Sequence, residues 1–328
     1  MKFLSDELGL GGVIESSDVL AGGLPGNDEL LAAVAERGAV LLRGFHLDKD
    51  SFERFTDSIG TVRPANVHWV TTRKFESSRG TESVDFGNDA IPLHAESYYT
   101  PICPQTVVFW CANSTARGGE TLICDGERLY ESLPPDVQEV LRSTVIHWRY
   151  QCSFARLVEQ TQRPLAEFLE WCARTPNCEV VVDDKQRQLS ISYSAPAIRT
   201  AEWTRRPAFA NNLLSLAHSG VLADWVADLD PDLVATVGEL AEKLTLKHNW
   251  RPGDVLVIDN TRFMHGRAAW SGGTRDVRVR MLTSDSLRIR HVDGQADAGT
   301  AIKRLLRNTA FRPRSIATNR LVGSWVKR

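Results

Sequence analysis

Hydrophobic and polar positions follow two periods along this chain. NDELLAAVAER, residues 27–37, spaces its apolar side chains as a helix does, with Asn27 as the predicted cap and Gly38 as the stop. AVLLRGF follows as a short buried strand. DKDSFERFTDSIG then puts Phe52, Phe55 and Ile59 on one helical face. Residues 67–89 are polar and rich in Ser, Thr and Gly, which predicts a long loop of the kind that forms lids and binding segments. From Pro92 the pattern shortens to strands: TVVFWCA, TLICD, TVIHWRY, EVVVDD and QLSISY. The last two read as a hairpin across Asp183, Asp184 and Lys185. Helices are predicted over residues 134–142, 164–173 and 231–244, and DVLVIDN and VRVRMLTS return to strand character. Strands in this irregular order, with few parallel crossovers, predict a mainly β protein with α-helices. The expected architecture is an antiparallel jelly roll, or double-stranded β-helix, with flanking helices.

Composition narrows the class. The chain has 328 residues, 42% of them apolar, and a net charge of -2. That supports a sizeable core and gives no sign of a nucleic-acid or membrane partner. MKFLSDELGLGG brings acidic residues before any apolar run, so no secretory signal is expected. The six cysteines show no C-x-x-C pair, which fits reduced thiols in a cytoplasmic protein. One domain is expected over residues 1–283. Residues 284–328 hold ten Lys or Arg against three Asp and form a basic C-terminal extension, either a solvated tail or a docking patch for an acidic partner.

The candidate chemistry starts in PLHAESYY, residues 92–99. If residues 93–98 form a strand, His94 and Glu96 share one face. An imidazole and a carboxylate on one face are two arms of a metal site, and the two-histidine, one-carboxylate triad holds Fe(II) with positions left open. His265, in VLVIDNTRFMHGR, is the candidate third arm. Arg275 follows ten residues later, and a buried guanidinium there suits a dicarboxylate cosubstrate. Arg275 shares strand parity with Val277 and Val279; Arg278 and Arg280 share the other face. In ARGGETLICD, Gly118 and Gly119 mark a turn and Thr121 offers a hydroxyl to a carboxylate. Tyr98, by parity with His94 and Glu96, and His68, Trp69, Arg73 and Asn88, in the polar loop, are candidate pocket groups. Arg267 reads as structural, and His147, His218 and His248 lie in no ligand-like pattern. There is no G-x-S-x-G, P-loop or H-E-x-x-H, and GLGG at residues 9–12 lacks a preceding strand.

In order, H-x-E, G-G-E-T, D-N-x-x-x-x-H-G-R and a later arginine resemble the TauD/TfdA family of Fe(II)- and 2-oxoglutarate-dependent dioxygenases. The resemblance spans about residues 32–282, includes LPPDVQEVL, and is greatest to the syringomycin-biosynthesis hydroxylase and clavaminate-synthase-like branch. It implies that His94, Glu96 and His265 bind Fe(II). It also implies that Arg275 pairs with the distal carboxylate of 2-oxoglutarate, assisted by Thr121, and that O2 is the co-reactant. Arg278 and Arg280 are the alternatives for that carboxylate, or contacts for substrate. Related halogenases replace the carboxylate ligand with Ala or Gly, so Glu96 implies hydroxylation, desaturation or cyclisation. The substrate implied is an amino acid or an amino-acid-derived natural-product intermediate, free or tethered to a carrier protein. Two rivals remain: a cupin-type metal enzyme, which needs neither Arg275 nor Thr121, and a degenerate binding protein of the same fold.

Overall fold

The continuous apolar run VLVI, residues 255–258, can be buried on both faces, and it lies near the middle of a sheet. The computed structural model describes residues 12–15, 24–62, 80–84, 87–100, 103–161, 164–226 and 229–283. Strands Gly12–Glu15, Ala39–Arg43, Val255–Asp259, Thr106–Ser114, Arg275–Thr283 and Thr61–Val62 form the larger sheet in that order. Glu82–Ser83 also pairs with Arg275–Thr283, so the polar stretch 67–89 contains a short strand where only loop is expected. Gly12–Glu15 and Ala39–Arg43 run parallel, and the other pairs of this sheet run antiparallel. A second, antiparallel sheet orders Leu246–His248, Thr121–Asp125, Phe263–Arg267 and Ile91–His94.

The two sheets face each other across one apolar layer. Leu41, Val107, Phe109, Leu256, Val279 and Met281 come from the larger sheet, and Ile123 and Phe263 from the smaller. This is the expected jelly roll. Alternation then assigns the outer faces. Val108 and Trp110 point away from that layer and meet Leu30, Val34, Phe52 and Phe55 of helices Asn27–Arg37 and Lys49–Ile59. The Phe52 ring stacks on Trp110 with centroids 5.3 Å apart. Each such side chain stabilises the fold by about 1.5–3 kcal/mol. A capping box starts the second helix, with the Asp48 carboxylate accepting from Ser51 N–H at 2.8 Å. Asn27 does not cap the first helix. Gly26 takes that position, and Asn27 Nδ2 donates to Ser58 O at 2.9 Å, tying the two helices together.

Outside the smaller sheet, Leu93, Cys124 and Met264 pack on helices Leu213–His218 and Pro231–Leu244. The expected hairpin is present, Cys178–Asp183 with Gln188–Pro196, and Val145–Ser153 adds a third strand. Its apolar face, including Cys152, Leu189 and Ile191, covers Leu157 and Phe168 of helices Phe154–Thr161 and Leu165–Arg174. Gly126–Glu131 and Leu213–His218 are helices too short for periodicity to reveal. Among the described residues no helix is long and apolar enough to cross a membrane. The basic segment 284–328, with His68, Trp69 and Arg73, lies outside the described residues.

Candidate active site

His265 sits on the central pair of the smaller sheet. Phe263, in the inter-sheet layer, His265 and Arg267 alternate with Met264, which packs outside. The His265 ring lies 5.1 Å from the Phe109 ring of the opposite sheet. Across the ladder its partner is His94, and the two imidazole centroids are 4.5 Å apart. The register slips between His265 and Arg267, where Gly266 lets the chains touch: a Cβ there would lie 2.6 Å from Ile91 O. His94 Nδ1 is 2.8 Å from the Pro92 carbonyl, which fixes the ring and, with the proton on Nδ1, gives Nε2 the lone pair.

Glu96 reaches the same place by a route that strand parity does not describe. The strand ends at His94, and Glu96 begins a turn in which Ser97 has φ 55°. The turn, rather than a shared strand face, brings the carboxylate back: Glu96 Oε2 is 3.6 Å from His265 Nε2 and is buried. One ligand atom from each of His94, Glu96 and His265 lies within 4.8 Å of the others, and no other such cluster occurs among the described residues. His265 Nδ1 is buried and has no hydrogen-bond partner among the described residues. Two imidazoles and one carboxylate, packed this closely, are a donor set that fits a divalent cation of the iron type.

Tyr98 does not share the triad's face. Its ring belongs to the apolar cluster outside the smaller sheet, its hydroxyl donates to Pro196 O at 2.6 Å, and the Arg199 guanidinium lies 4.9 Å from the ring centre. Burial pushes that hydroxyl up to about 12.

The three arginines divide by face. Arg278 sits over the Trp110 ring and pairs with Asp276 at 3.1 Å, and Arg280 bonds Glu53 O, Thr56 and Asp57 on helix Lys49–Ile59. Both are therefore on the helix-covered side, away from the triad. Arg275 lies on the side of Val277 and Val279. Its Nε donates to Gly119 O at 2.9 Å, and no carboxylate pairs with it among the described residues. Gly119, at φ 77°, makes room for it: a Cβ there would be 3.0 Å from Arg275 Cδ. Burial, and the charge of Arg267, push the Arg275 guanidinium down to about 10. Thr121 neighbours Arg267 across the ladder, and its Oγ1 accepts from Trp250 Nε1 at 2.9 Å. Arg267 donates to Asp89 O at 2.8 Å, and Asn88, exposed at its side chain, accepts the Trp270 N–H at 2.9 Å through its carbonyl. His147 meets Ser194 and His248 meets Asp254, both outside the cluster.

Sequence reasoning missed two residues. Trp250 follows a three-residue strand with no periodicity to mark it. Asn260 reads as a turn former, although its place in D-N, five residues before His265, was a usable signal.

Comparison with known proteins bears on the family and the fold. The family described as taurine catabolism dioxygenase TauD, TfdA family, matches residues 16–282. The dapdiamide synthesis protein DdaC of Enterobacter agglomerans is 22% identical over 284 residues, covering 78% of this chain and 84% of that protein. A tyrosine isonitrile desaturase of Pseudomonas aeruginosa is 25% identical, covering 71% and 72%. The structure of AAD-2 in complex with Mn(II) and N-oxalylglycine superposes with a TM-score of 0.53 at 15% identity, covering 84% of this chain and 94% of that one, a likeness of fold. With its jelly roll intact and the family match spanning nearly all of the described residues, the chain belongs to the TauD/TfdA dioxygenase family, whose members work with iron and 2-oxoglutarate.

Proposed function

We propose that this dioxygenase oxidises an unactivated C–H bond of an amino acid or an amino-acid-derived natural-product intermediate, with His94, Glu96 and His265 holding Fe(II). The convergence of those three side chains carries the reading. Arg275 pairs with the distal carboxylate of 2-oxoglutarate and Thr121 assists. Bound Fe(II), with 2-oxoglutarate and O2, supplies the oxidising power, and succinate and CO2 are the coproducts.

The chain's own groups prepare that chemistry. Pro92 O holds the His94 tautomer. The Phe109 ring packs edge-on against His265. Trp250 occupies a lone pair of the Thr121 hydroxyl, so its proton is left to donate to an incoming carboxylate. Two residues along a strand advance about 7 Å. Arg267 and Thr121 therefore lie about that far from His265, a span suited to a five-carbon dicarboxylate. Two neighbouring guanidiniums, one with no carboxylate partner among the described residues, favour an anion between them and the metal. Glu96 supports hydroxylation, desaturation or cyclisation over halogenation. The names of the relatives, a dapdiamide synthesis protein and a tyrosine isonitrile desaturase, support the substrate class. The basic segment 284–328 would dock an acidic carrier, and the unpaired cysteines suit a cytoplasmic setting.

The test is anaerobic titration of the protein with Fe(II) and 2-oxoglutarate, followed by mass spectrometry with free and carrier-bound amino acids. A weak visible charge-transfer band in the wild type, and a product shifted by oxygen or by two hydrogens that Glu96→Ala fails to form, are the expected results. No band in the wild type would favour a cupin-type enzyme. Substrate oxidation undiminished in Glu96→Ala would falsify the triad.

A further inference from the structure

Glu96 leaves its strand two residues after His94, so its backbone N–H and C=O lose the ladder that would have satisfied them. The Asn260 side chain takes both. Its Oδ1 accepts from Glu96 N–H at 2.7 Å, and its Nδ2 donates to Glu96 O at 3.1 Å. Nδ2 also donates to Pro104 O at 2.8 Å, and Asn260 N–H donates to Gln105 O at 2.8 Å. Asn260 is fully buried. A carboxamide offers one acceptor and two donors in the geometry of a peptide group. It therefore stands in for the missing strand neighbour at the one residue whose side chain must meet His265. The link is direct, because Asn260 opens the turn that leads into strand Phe263–Arg267.

We propose that Asn260 is a positioning residue for the metal carboxylate: by clamping the Glu96 backbone to the turn that precedes His265, it sets the distance between these two ligands. The proposal rests on the triad reading above. No hydrogen bond from Asn260 reaches the Glu96 carboxylate itself, so its effect is on ligand geometry rather than on the chemistry of substrate.

Mn(II) binding to the full chain, followed by the EPR signal of the free ion, reads this without turnover. Asn260→Ala is expected to weaken Mn(II) binding about 10–100-fold, the range for lost outer-sphere support of a ligand. Asn260→Asp, which keeps an acceptor for Glu96 N–H and loses the Nδ2 donor, is expected to weaken it as well, and carries the test if the alanine variant does not fold. Leu157→Ala, in the apolar core beside the three-stranded sheet, should lower the melting temperature and leave the Mn(II) affinity unchanged. Wild-type affinity in the folded Asn260 variants, or an equal loss in Leu157→Ala, overturns the proposal. Failure of the wild type to bind Mn(II), or wild-type binding by Glu96→Ala, would instead overturn the triad.

Discussion

At Gly119 a single hydrogen in place of a methyl group decides where a charge can sit. The Arg275 side chain runs over that glycine, and a Cβ would press on its Cδ. Gly119→Ala should therefore displace the guanidinium, at about 1–3 kcal/mol for an overpacked contact. The expected outcome is an approximately tenfold rise in KM for 2-oxoglutarate, with metal affinity unchanged in a Mn(II) titration. On the proposed pairing, Arg275 would also set a pH limit. Its guanidinium, pushed down to about 10, is cationic at neutral pH. Binding of 2-oxoglutarate should be flat from pH 7 to about 9 and weaken as pH rises through about 10. A calorimetric titration series checks this, and a series flat to pH 11 would remove Arg275 from the role. The side-chain chemistry was the most legible layer of the sequence. His94, Glu96 and His265, which the fold brings together, were nameable from motif order, as were the candidates Arg275 and Thr121. What could not be read was how Glu96 arrives, because strand parity predicts the neighbours of an extended residue and Glu96 is in a turn. The same error put Tyr98 on the wrong face.

The strands and helices were legible where they were long. Residues 106–114, 121–125 and 255–259 alternate or run apolar as their burial requires, and the helix over 231–244 has Pro at its first turn, Asp230 as its cap and an apolar stripe. Polar contacts between elements were not legible, since their partners are far apart in sequence. Arg43, on a strand of the larger sheet, grips Asp254 through two bonds of 2.9 and 2.8 Å, and His248 lies 3.3 Å from the same carboxylate. Burial opposes the charge of Asp254, yet the two bonds from Arg43, with His248 close by, hold its carboxyl below the usual range. A depressed carboxyl contributes stability at pH above its unfolded value, and that contribution is lost as pH falls through the folded value. Asp254→Ala leaves a mostly buried guanidinium without its partner and should cost about 3–5 kcal/mol. Urea denaturation at pH 7 reads this, and the deficit should shrink in acid. A loss under 1 kcal/mol would mean that the pair contributes little.

For the molecule as a whole, the fold class and the family were legible because the motifs keep their order along the chain. The candidate residues for iron and 2-oxoglutarate all lie between residues 94 and 280. Removing residues 284–328 should therefore leave Mn(II) and 2-oxoglutarate binding as in the full chain. With a carrier-tethered amino acid, KM should rise, and with the free amino acid it should not. Unchanged turnover on carrier-bound substrate would remove docking from the tail's roles.

The clamp between Glu96 and Asn260 joins positions 164 residues apart in the chain. Closing so long a loop is slow compared with local structure, and on the ribosome it cannot happen until the strand bearing His265 has emerged. The nascent chain therefore has no assembled ion site for most of its synthesis. An ion held by all three side chains can therefore be taken up only after the strand bearing His265 has joined His94 in the smaller sheet.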